Sequence, residues 1–310
     1  MLHLSTPLEP WVPPLSRSHF EGMDVRLKLE SSQPTGSFKI RGVGYACEAY
    51  RDRGVGHFLS SSGGNAGIAV AYAGRKLGIP VTVVVPETAT RHAQNLILEH
   101  GAELIVHGES WQEAHAHAES LQTDQTVLIH PFDDPLLWQG HASLVDEVAE
   151  AMFQPQLIIT SVGGGGLLSG IAEGIRRQSW SDTHVLAMET LGAESFAESL
   201  KVGQPVELAA ITSVATSLGA RQVCQRSIDL TRDLPVSSGL VSDRAAVAAC
   251  ASFLNDRGLL VEPACGASLA ALYEELPMLL DYESILVVVC GGTTMTESHL
   301  QMLHGELCGS

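Results

Sequence analysis

Cations are scarce in this chain: 18 Lys and Arg stand against 35 Asp and Glu, for a formal net charge of -17. Holding nucleic acid or an anionic membrane by counterion release needs clustered Lys and Arg, so neither is an expected partner and small-molecule chemistry fits better. No CxxC pair occurs among the six cysteines (Cys47, Cys224, Cys250, Cys265, Cys290 and Cys308), which argues against a zinc ribbon or a disulfide framework and for reduced thiols. No apolar run approaches the roughly 18 residues of a membrane span, and the start MLHLSTPLEPWVPP lacks the basic region and apolar core of a secretory leader. Cytoplasmic residence is the expectation by elimination.

What is present is a folded composition, 45% hydrophobic and 17% charged over 310 residues, enough to bury a full core. Short β-rich runs alternate with amphipathic helical stretches, the pattern of a parallel sheet with crossover helices, so the fold class is α/β. Candidate strands are Val25–Glu30, His57–Ser60, Val81–Val85, Glu103–Val106, Val127–Ile129, Leu157–Thr160, His184–Glu189 and Ser284–Val289, several with no polar face, as buried parallel strands should be. A helix over Gly64–Leu77 is closed by Gly78 and followed by Pro80. The prolines of His130–Pro135 interrupt the alternation and mark a crossing between domains. The expected division is a large domain of residues 1–40 and 135–310 and a small one of residues 41–134. Residues 200–240 carry little readable pattern.

The strongest local signal is LIITSVGGGGLLSGIAEGIRR, an apolar strand running through Gly163, Gly164, Gly165 and Gly166 into a helix. Such a turn suits phosphate, because glycines let the backbone approach an anion and the helix start adds roughly half a positive charge. A P-loop is excluded, since lysine occurs only at positions 28, 39, 76 and 201. The dinucleotide fingerprint G-x-G-x-x-G fails at Leu168 and Ser169, yet Glu189 at the end of a following strand mimics a ribose-binding acid and keeps a nicotinamide dehydrogenase open. A turn made of glycine only for tight strand-to-helix packing is the third reading.

In SSQPTGSFKIRG, Pro34 and Gly36 precede a helix beginning around Ser37, with Phe38 and Lys39 in its first turn. A lysine there faces the positive end of the helix dipole, which favours a neutral, nucleophilic amine of the kind that forms a Schiff base with an aldehyde cofactor. Phe38 is either core or a wall beside a planar ring. FLSSSGGNAGIAVAYAGRKLG repeats strand, small-residue turn and helix. It offers the Ser61 and Ser62 hydroxyls, the amides of Gly63 to Ala66 and the Asn65 side chain to a carboxylate or a polar ring substituent, or else simply caps the helix.

Taken together, SSQPTGSFKIRG, SSGGNAG, HPFDDPLLWQGHAS, TSVGGGGLLSG, METLGAESF, VEPACGA and VVVCGG resemble the serine dehydratase branch of the fold-type II pyridoxal-phosphate enzymes, nearly end to end. The resemblance implies two open, mostly parallel sheets with flanking helices, a homodimer, and deamination of L-serine to pyruvate and ammonia, with L-threonine to 2-oxobutanoate beside it. It implies that Lys39 carries pyridoxal 5'-phosphate and takes the substrate's α-proton. Phe38 would stack on the ring and Asn65 would meet its 3-hydroxyl. Gly163, Gly164, Gly165, Gly166 and Leu167 would hold the phosphate, and Cys290 would face the pyridine nitrogen. Ser62, Gly63, Asn65 and Ala66 would receive the substrate carboxylate. A monovalent cation, expected to be potassium, would lie on Glu189, Ala193, Ser195, Leu218 and Ala220, which changes the role of Glu189 from ribose acid to cation ligand. A thiol cannot hold a pyridinium proton as an aspartate would, so the ring is a weaker electron sink and loss of the β-hydroxyl is favoured over transamination. The departure is Gly63, where serine dehydratases often have alanine; it implies a slower or broader enzyme, or a binding protein without turnover.

Rival outcomes on the same cofactor are those of a threonine synthase, a cysteine synthase or a racemase. His115 and His117, two apart on a helix, point to different sides and read as surface histidines. Asp133 and Asp134, flanked by prolines, read as turn formers, and no G-x-S-x-G elbow is present. The end near residue 310 leaves no room for a ligand-sensing domain, so feedback control is not expected.

Overall fold

A computed structural model describes residues 1–11, 20 and 22–309. Its first half comprises β1 (Leu8–Pro10), β2 (Asp24–Leu29), α1 (Lys39–Asp52), β3 (His57–Ser60), α2 (Asn65–Leu77), β4 (Val81–Val85), α3 (Arg91–Glu99), β5 (Glu103–Val106), α4 (Trp111–Ser120), β6 (Thr126–Leu128), α5 (Pro135–His141) and α6 (Ser143–Glu150). The second half continues with β7 (Leu157–Ser161), α7 (Gly166–Gln178), β8 (His184–Thr190), α8 (Ser195–Val202), α9 (Gln225–Asp229), β9 (Val236–Val241), α10 (Asp243–Arg257), α11 (Pro263–Tyr273), β10 (Ser284–Val289) and α12 (Glu297–Cys308).

The strands form two sheets, one of six in the order β1-β2-β10-β7-β8-β9 and one of four in the order β5-β4-β3-β6. Every pairing is parallel except β1 on β2. Strands β4 and β7 are buried along their whole length and β10 from Ile285 to Val289, which is why they read as largely apolar runs. Each expected strand is present to within one residue at either end. The sequence reading lacked β1, a three-residue antiparallel edge, and β9, VSSGLV, a half-exposed edge of small residues with no apolar alternation. Among the described residues no helix is long and apolar enough to cross a membrane.

Each sheet has its own apolar cluster. Leu157, Ile159, Leu186 and Val287 belong to that of the larger sheet, and Phe58, Ile68, Val83 and Ile97 to that of the smaller. Helix α1 is anchored by a buried ionic network just past its first residue. The fully buried Arg41 guanidinium donates to Glu30 (2.6 and 2.9 Å) and to Glu147 (2.6 and 2.8 Å). Lys28 Nζ reaches Glu147 at 2.5 Å and the Thr6 carbonyl at 2.6 Å. Two cations meet two carboxylates with nearly all hydrogen-bonding positions used, the condition under which buried charge is tolerated. The network fixes the origin of α1 against β2 and α6.

Candidate active site

Helices α1, α2 and α7 begin at Lys39, Asn65 and Gly166, two residues inside the expected start for α1 and within one for the others. Gly36 has φ +64°, and a Cβ there would lie 2.0 Å from Thr293 Cγ2, so only glycine makes this turn against the segment after β10. Ser37 then bridges Gly291, and the Phe38 amide donates to the Cys290 carbonyl at 3.1 Å. Phe38 and Lys39 are thereby pinned to the carboxyl end of β10. The Lys39 amine donates to the Pro131 carbonyl at 2.6 Å and lies 5.1 Å from the centre of the Phe38 ring. Loss of water pushes its pKa down to about 8, although Cys290 and Glu262 act in the opposite sense. The other face of this corner is closed by His141, whose ring is 5.0 Å from that of Phe38 and whose Nδ1 accepts from the Gly42 amide at 3.2 Å.

The glycine turn enters α7 at Gly165, which has φ +88°. A Cβ at Gly164 would fall 2.3 Å from the Phe132 ring, at Gly165 2.7 Å from Ser227 Cβ, at Gly166 2.8 Å from the Phe132 carbonyl and at Gly163 3.0 Å from the Ser217 carbonyl. Packing alone therefore requires glycine here, as the third sequence reading held. The packing has a second effect. With the turn hemmed in by Phe132, Ser227 and Leu218, no side chain shields its amides, and among the described residues none accepts from the N–H groups of Gly163 to Leu168. Six successive donors at the origin of a 13-residue helix fit an anion the size of a phosphate. Phe132, which packs on this turn, is the neighbour of Pro131, which holds the Lys39 amine; one short segment joins the two features.

In the third turn, the Ser62 hydroxyl accepts from the Gly64 amide at 3.3 Å, and the Ser62 carbonyl packs so closely that a Cβ on Gly67 would be 1.9 Å from it. A Cβ at Gly63 would meet Ala89 Cβ at 3.1 Å and Val85 Cγ1 at 3.3 Å, so the space for a methyl lies against the end of β4. Asn65 is buried; its Oδ1 accepts from the Thr293 amide at 3.1 Å and its Nδ2 donates to Glu262 at 2.7 Å. Ala66 is buried behind it. Cys290, at the end of β10, keeps its proton: a hydrogen bond with Cys265, then burial, push its thiol well above the usual range.

Glu189, next to last in β8, is fully buried, its oxygens accepting from the amides of Phe196 (2.7 Å) and Ala197 (2.8 Å) at the start of α8. Burial pushes its carboxyl up to about 8 despite those two donors. The Ser195 hydroxyl is buried with no partner among the described residues, and Ala193 is buried beside it in the chain. Leu218 borders the glycine turn, its Cα 3.1 Å from where a Gly163 Cβ would be, and its carbonyl accepts from the Ala220 amide at 2.9 Å.

Three contributors were not singled out in the sequence, and a fourth was read differently. Glu262 is one; its only signal is an acid placed before Pro263 in an otherwise apolar stretch. The Pro131 carbonyl and the Phe132 ring are two more. The fourth is His115, read as a surface residue but half-buried, with its Nδ1 2.8 Å from the Ser61 hydroxyl, so that it braces the turn after β3. His117 points elsewhere and stacks on His107 at 4.2 Å, as the two-residue spacing required. Asp134 is the turn former expected, accepting from the Leu136 amide at 2.7 Å as the cap of α5.

A family described as "Pyridoxal-phosphate dependent enzyme" matches residues 2–291. A mouse protein named "Serine dehydratase-like" is 46% identical, covering 98% of this chain and 95% of its own length. A bovine "L-serine dehydratase/L-threonine deaminase" is 44% identical over 99% of this chain and 96% of its own. Among solved structures, a fungal L-serine ammonia-lyase from Rhizomucor miehei superposes with a TM-score of 0.92 at 35% identity, covering 99% of each chain. Maize serine racemase superposes at 0.87 with 27% identity over 98% of this chain and 93% of its own. These matches remove the nicotinamide reading of the glycine turn. A lysine amine depressed at a helix origin, a glycine turn with free amides and a near-complete match in sequence and fold agree: the chain belongs to the pyridoxal-phosphate dependent enzyme family.

Proposed function

We propose that the protein is an ammonia-lyase that converts L-serine to pyruvate and ammonia, and L-threonine to 2-oxobutanoate, with pyridoxal 5'-phosphate held on Lys39. The observation that carries this is the Lys39 amine, depressed to about 8 and tied through Pro131 and Phe132 to the glycine turn. When bound, the cofactor supplies a conjugated electron-withdrawing ring that weakens the α-C–H bond of an attached amino acid. The amides of Gly163, Gly164, Gly165, Gly166 and Leu167 would hold its phosphate, Phe38 would pack on its ring, and Asn65 would donate to its 3-oxygen. The Cys290 thiol faces the ring nitrogen as a neutral neighbour, which its raised pKa supports. Ser62 and the amides of Gly63, Asn65 and Ala66 bind the substrate carboxylate at the origin of α2.

Lys39, free as an amine once the substrate's own amino group has replaced it, would accept the α-proton, for which an amine titrating near working pH is well matched. The β-hydroxyl would leave as water, its proton balanced by the one that Lys39 took from the α-carbon, and the released enamine would be hydrolysed by a second water to the oxo acid and ammonia. Glu189, Ser195 and the carbonyls of Ala193, Leu218 and Ala220 bind a potassium ion; a buried carboxyl pushed up to about 8 and an unpartnered buried hydroxyl support a cation there. Residues 1–40 and 135–310 make the large cofactor domain and 41–134 the small one, and the enzyme works as a cytoplasmic homodimer.

The test is direct. Purified protein should be yellow, borohydride should fix the cofactor to Lys39 in a peptide map, and L-serine alone should yield pyruvate without thiol or phosphoester added. The likeness to maize serine racemase favours one other outcome. D-serine without pyruvate would replace elimination by racemisation, and no product from serine or threonine would end the lyase reading.

A further inference from the structure

Glu262 is costly to bury. It stands before Pro263 at the start of α11 and makes no cap hydrogen bond there. Its side chain is instead turned inward, 6% exposed, where an ionised carboxylate loses several kcal/mol of hydration unless its oxygens are bonded. They are. Oε1 accepts from Asn65 Nδ2 at 2.7 Å and Oε2 from Thr294 Oγ1 at 2.9 Å. The fit is tight enough that a Cβ on Gly292 would lie 2.2 Å from the Glu262 carboxyl carbon.

The consequence falls on Asn65. A side-chain amide has two nearly isosteric orientations that exchange its oxygen and nitrogen, and only its neighbours choose between them. Here the choice is made twice. The Thr293 amide can only donate, so Oδ1 must face it, at 3.1 Å. The Glu262 Oε1 atom accepts, so Nδ2 must face it. That leaves one N–H of Asn65 with no partner among the described residues, on a side chain only 7% exposed. Resting on the function proposed above, we infer that Glu262 is a positioning residue that locks the Asn65 amide so that its remaining N–H is aimed at the ring oxygen of the cofactor. It touches no reacting atom and acts through Asn65.

Two substitutions separate this role from mere support of the loop. Glu262→Leu removes the lock, whereas Glu262→Gln keeps an oxygen for Asn65 and hydrogen bonding to Thr294, whose hydroxyl can donate or accept. Wild type, both variants, Asn65→Ala and the double variant Glu262→Leu/Asn65→Ala are loaded with pyridoxal phosphate. The readouts are the cofactor dissociation constant and the visible absorption maximum without substrate. Loss of one hydrogen bond to the ring oxygen should weaken cofactor binding about tenfold in Glu262→Leu and shift its absorption as Asn65→Ala does. Glu262→Gln should recover most of both, and the double variant should match Asn65→Ala alone.

If Glu262→Leu absorbs and binds like wild type, or if its effect adds in full to that of Asn65→Ala, the inference is wrong. Should Glu262→Leu not fold, Glu262→Gln and Asn65→Asp decide: Asn65→Asp faces one carboxylate with another and should bind cofactor more weakly than Asn65→Ala if the lock exists, and no more weakly if it does not. Wild-type protein that binds no cofactor would overturn the underlying function as well, a failure distinct from variants that behave alike.

Discussion

Replacing Lys39 by methionine should abolish activity and yet stabilise the cofactor-free protein at neutral pH. In the unfolded chain the lysine titrates near 10.5, and in the folded protein near 8. Between those values the unfolded state binds more protons than the native state, so this group makes stability rise with pH from about 8 to about 10.5. Below pH 8 the folded protein carries the full burden of a poorly hydrated ammonium, at most about 3 kcal/mol. The side chain is partly exposed, and solvent screening reduces this to about 2 kcal/mol. Losing the hydrogen bond to the Pro131 carbonyl returns about 1 kcal/mol to the other side. The net gain near pH 7 is about 1 kcal/mol, equivalent to a melting temperature raised by about 2 °C. Near pH 10.5 the amine is neutral in the fold and half-protonated in the unfolded chain, so nearly all of the ammonium cost is gone and the variant should be the less stable protein by a similar amount. Thermal melts of the two cofactor-free proteins from pH 7 to 10.5 check this, because other groups titrate alike in both and cancel in the difference. A difference that does not change with pH, or a variant less stable throughout, would mean that the amine is charged and well hydrated in the fold, and the argument for its nucleophilicity would go with it.

Further expectations concern the surroundings of that amine. Gly164→Ala drives a methyl into the Phe132 ring and should weaken cofactor binding at least tenfold by equilibrium titration. Gly305→Ala, with open space at an exposed position of α12, should leave binding untouched and stabilise by about 1 kcal/mol. Arg41→Met removes the guanidinium paired with Glu30 and leaves Lys28 as the cation paired with Glu147, a loss of about 3–5 kcal/mol in melting experiments at pH 7. Burial raises the Glu147 carboxyl, but Arg41 and Lys28 more than reverse this and hold it below its usual range. Its contribution is therefore present above that range and lost as pH falls through the folded value, so the gap between Arg41→Met and wild type should narrow in acid. Gly63→Ala presses on Ala89 and Val85 and displaces the turn toward substrate. Threonine, with one methyl more than serine, should suffer most, and the serine-to-threonine ratio of kcat/KM should rise at least about threefold.

The parts of this site visible in the sequence are those whose reason is local. The Gly163–Gly166 turn and the Asn65 turn each follow a strand within a few residues, the Lys39 helix origin follows the Pro34 and Gly36 turn, and the chemistry of each can be argued without knowing what lies opposite. Glu262 could not be read this way, because the direction of its side chain is decided by Asn65, 197 residues earlier in the chain. The Pro131 carbonyl is invisible for another reason: every residue has one, and only the fold selects which carbonyl meets the amine. His115 was misjudged because helical spacing shows which way it faces but not that Ser61 awaits it. Strand β9 escaped because an edge strand of serine and glycine carries neither apolar alternation nor an apolar run.

The net charge of -17 and a site for a phosphate and a carboxylate are at first sight opposed. Distance and screening reconcile them. At physiological ionic strength exposed charges are felt over about 8 Å, so the acidic surface contributes weakly at a recessed site. Inside, the origins of α1, α2 and α7 supply fixed positive ends from backbone amides, which add nothing to net charge and do not titrate. Of the four lysines, Lys39 alone carries a role in the proposed chemistry, and that role requires it to be uncharged. A positively charged phosphate clamp of Lys or Arg beside it would depress the amine further but would also compete for its aldehyde or hold its lone pair in a hydrogen bond. Binding the anion with glycine amides, as proposed, would keep Lys39 the one lysine in the glycine turn's neighbourhood, and this is the physical reason to expect a basic-poor chain to carry this chemistry well.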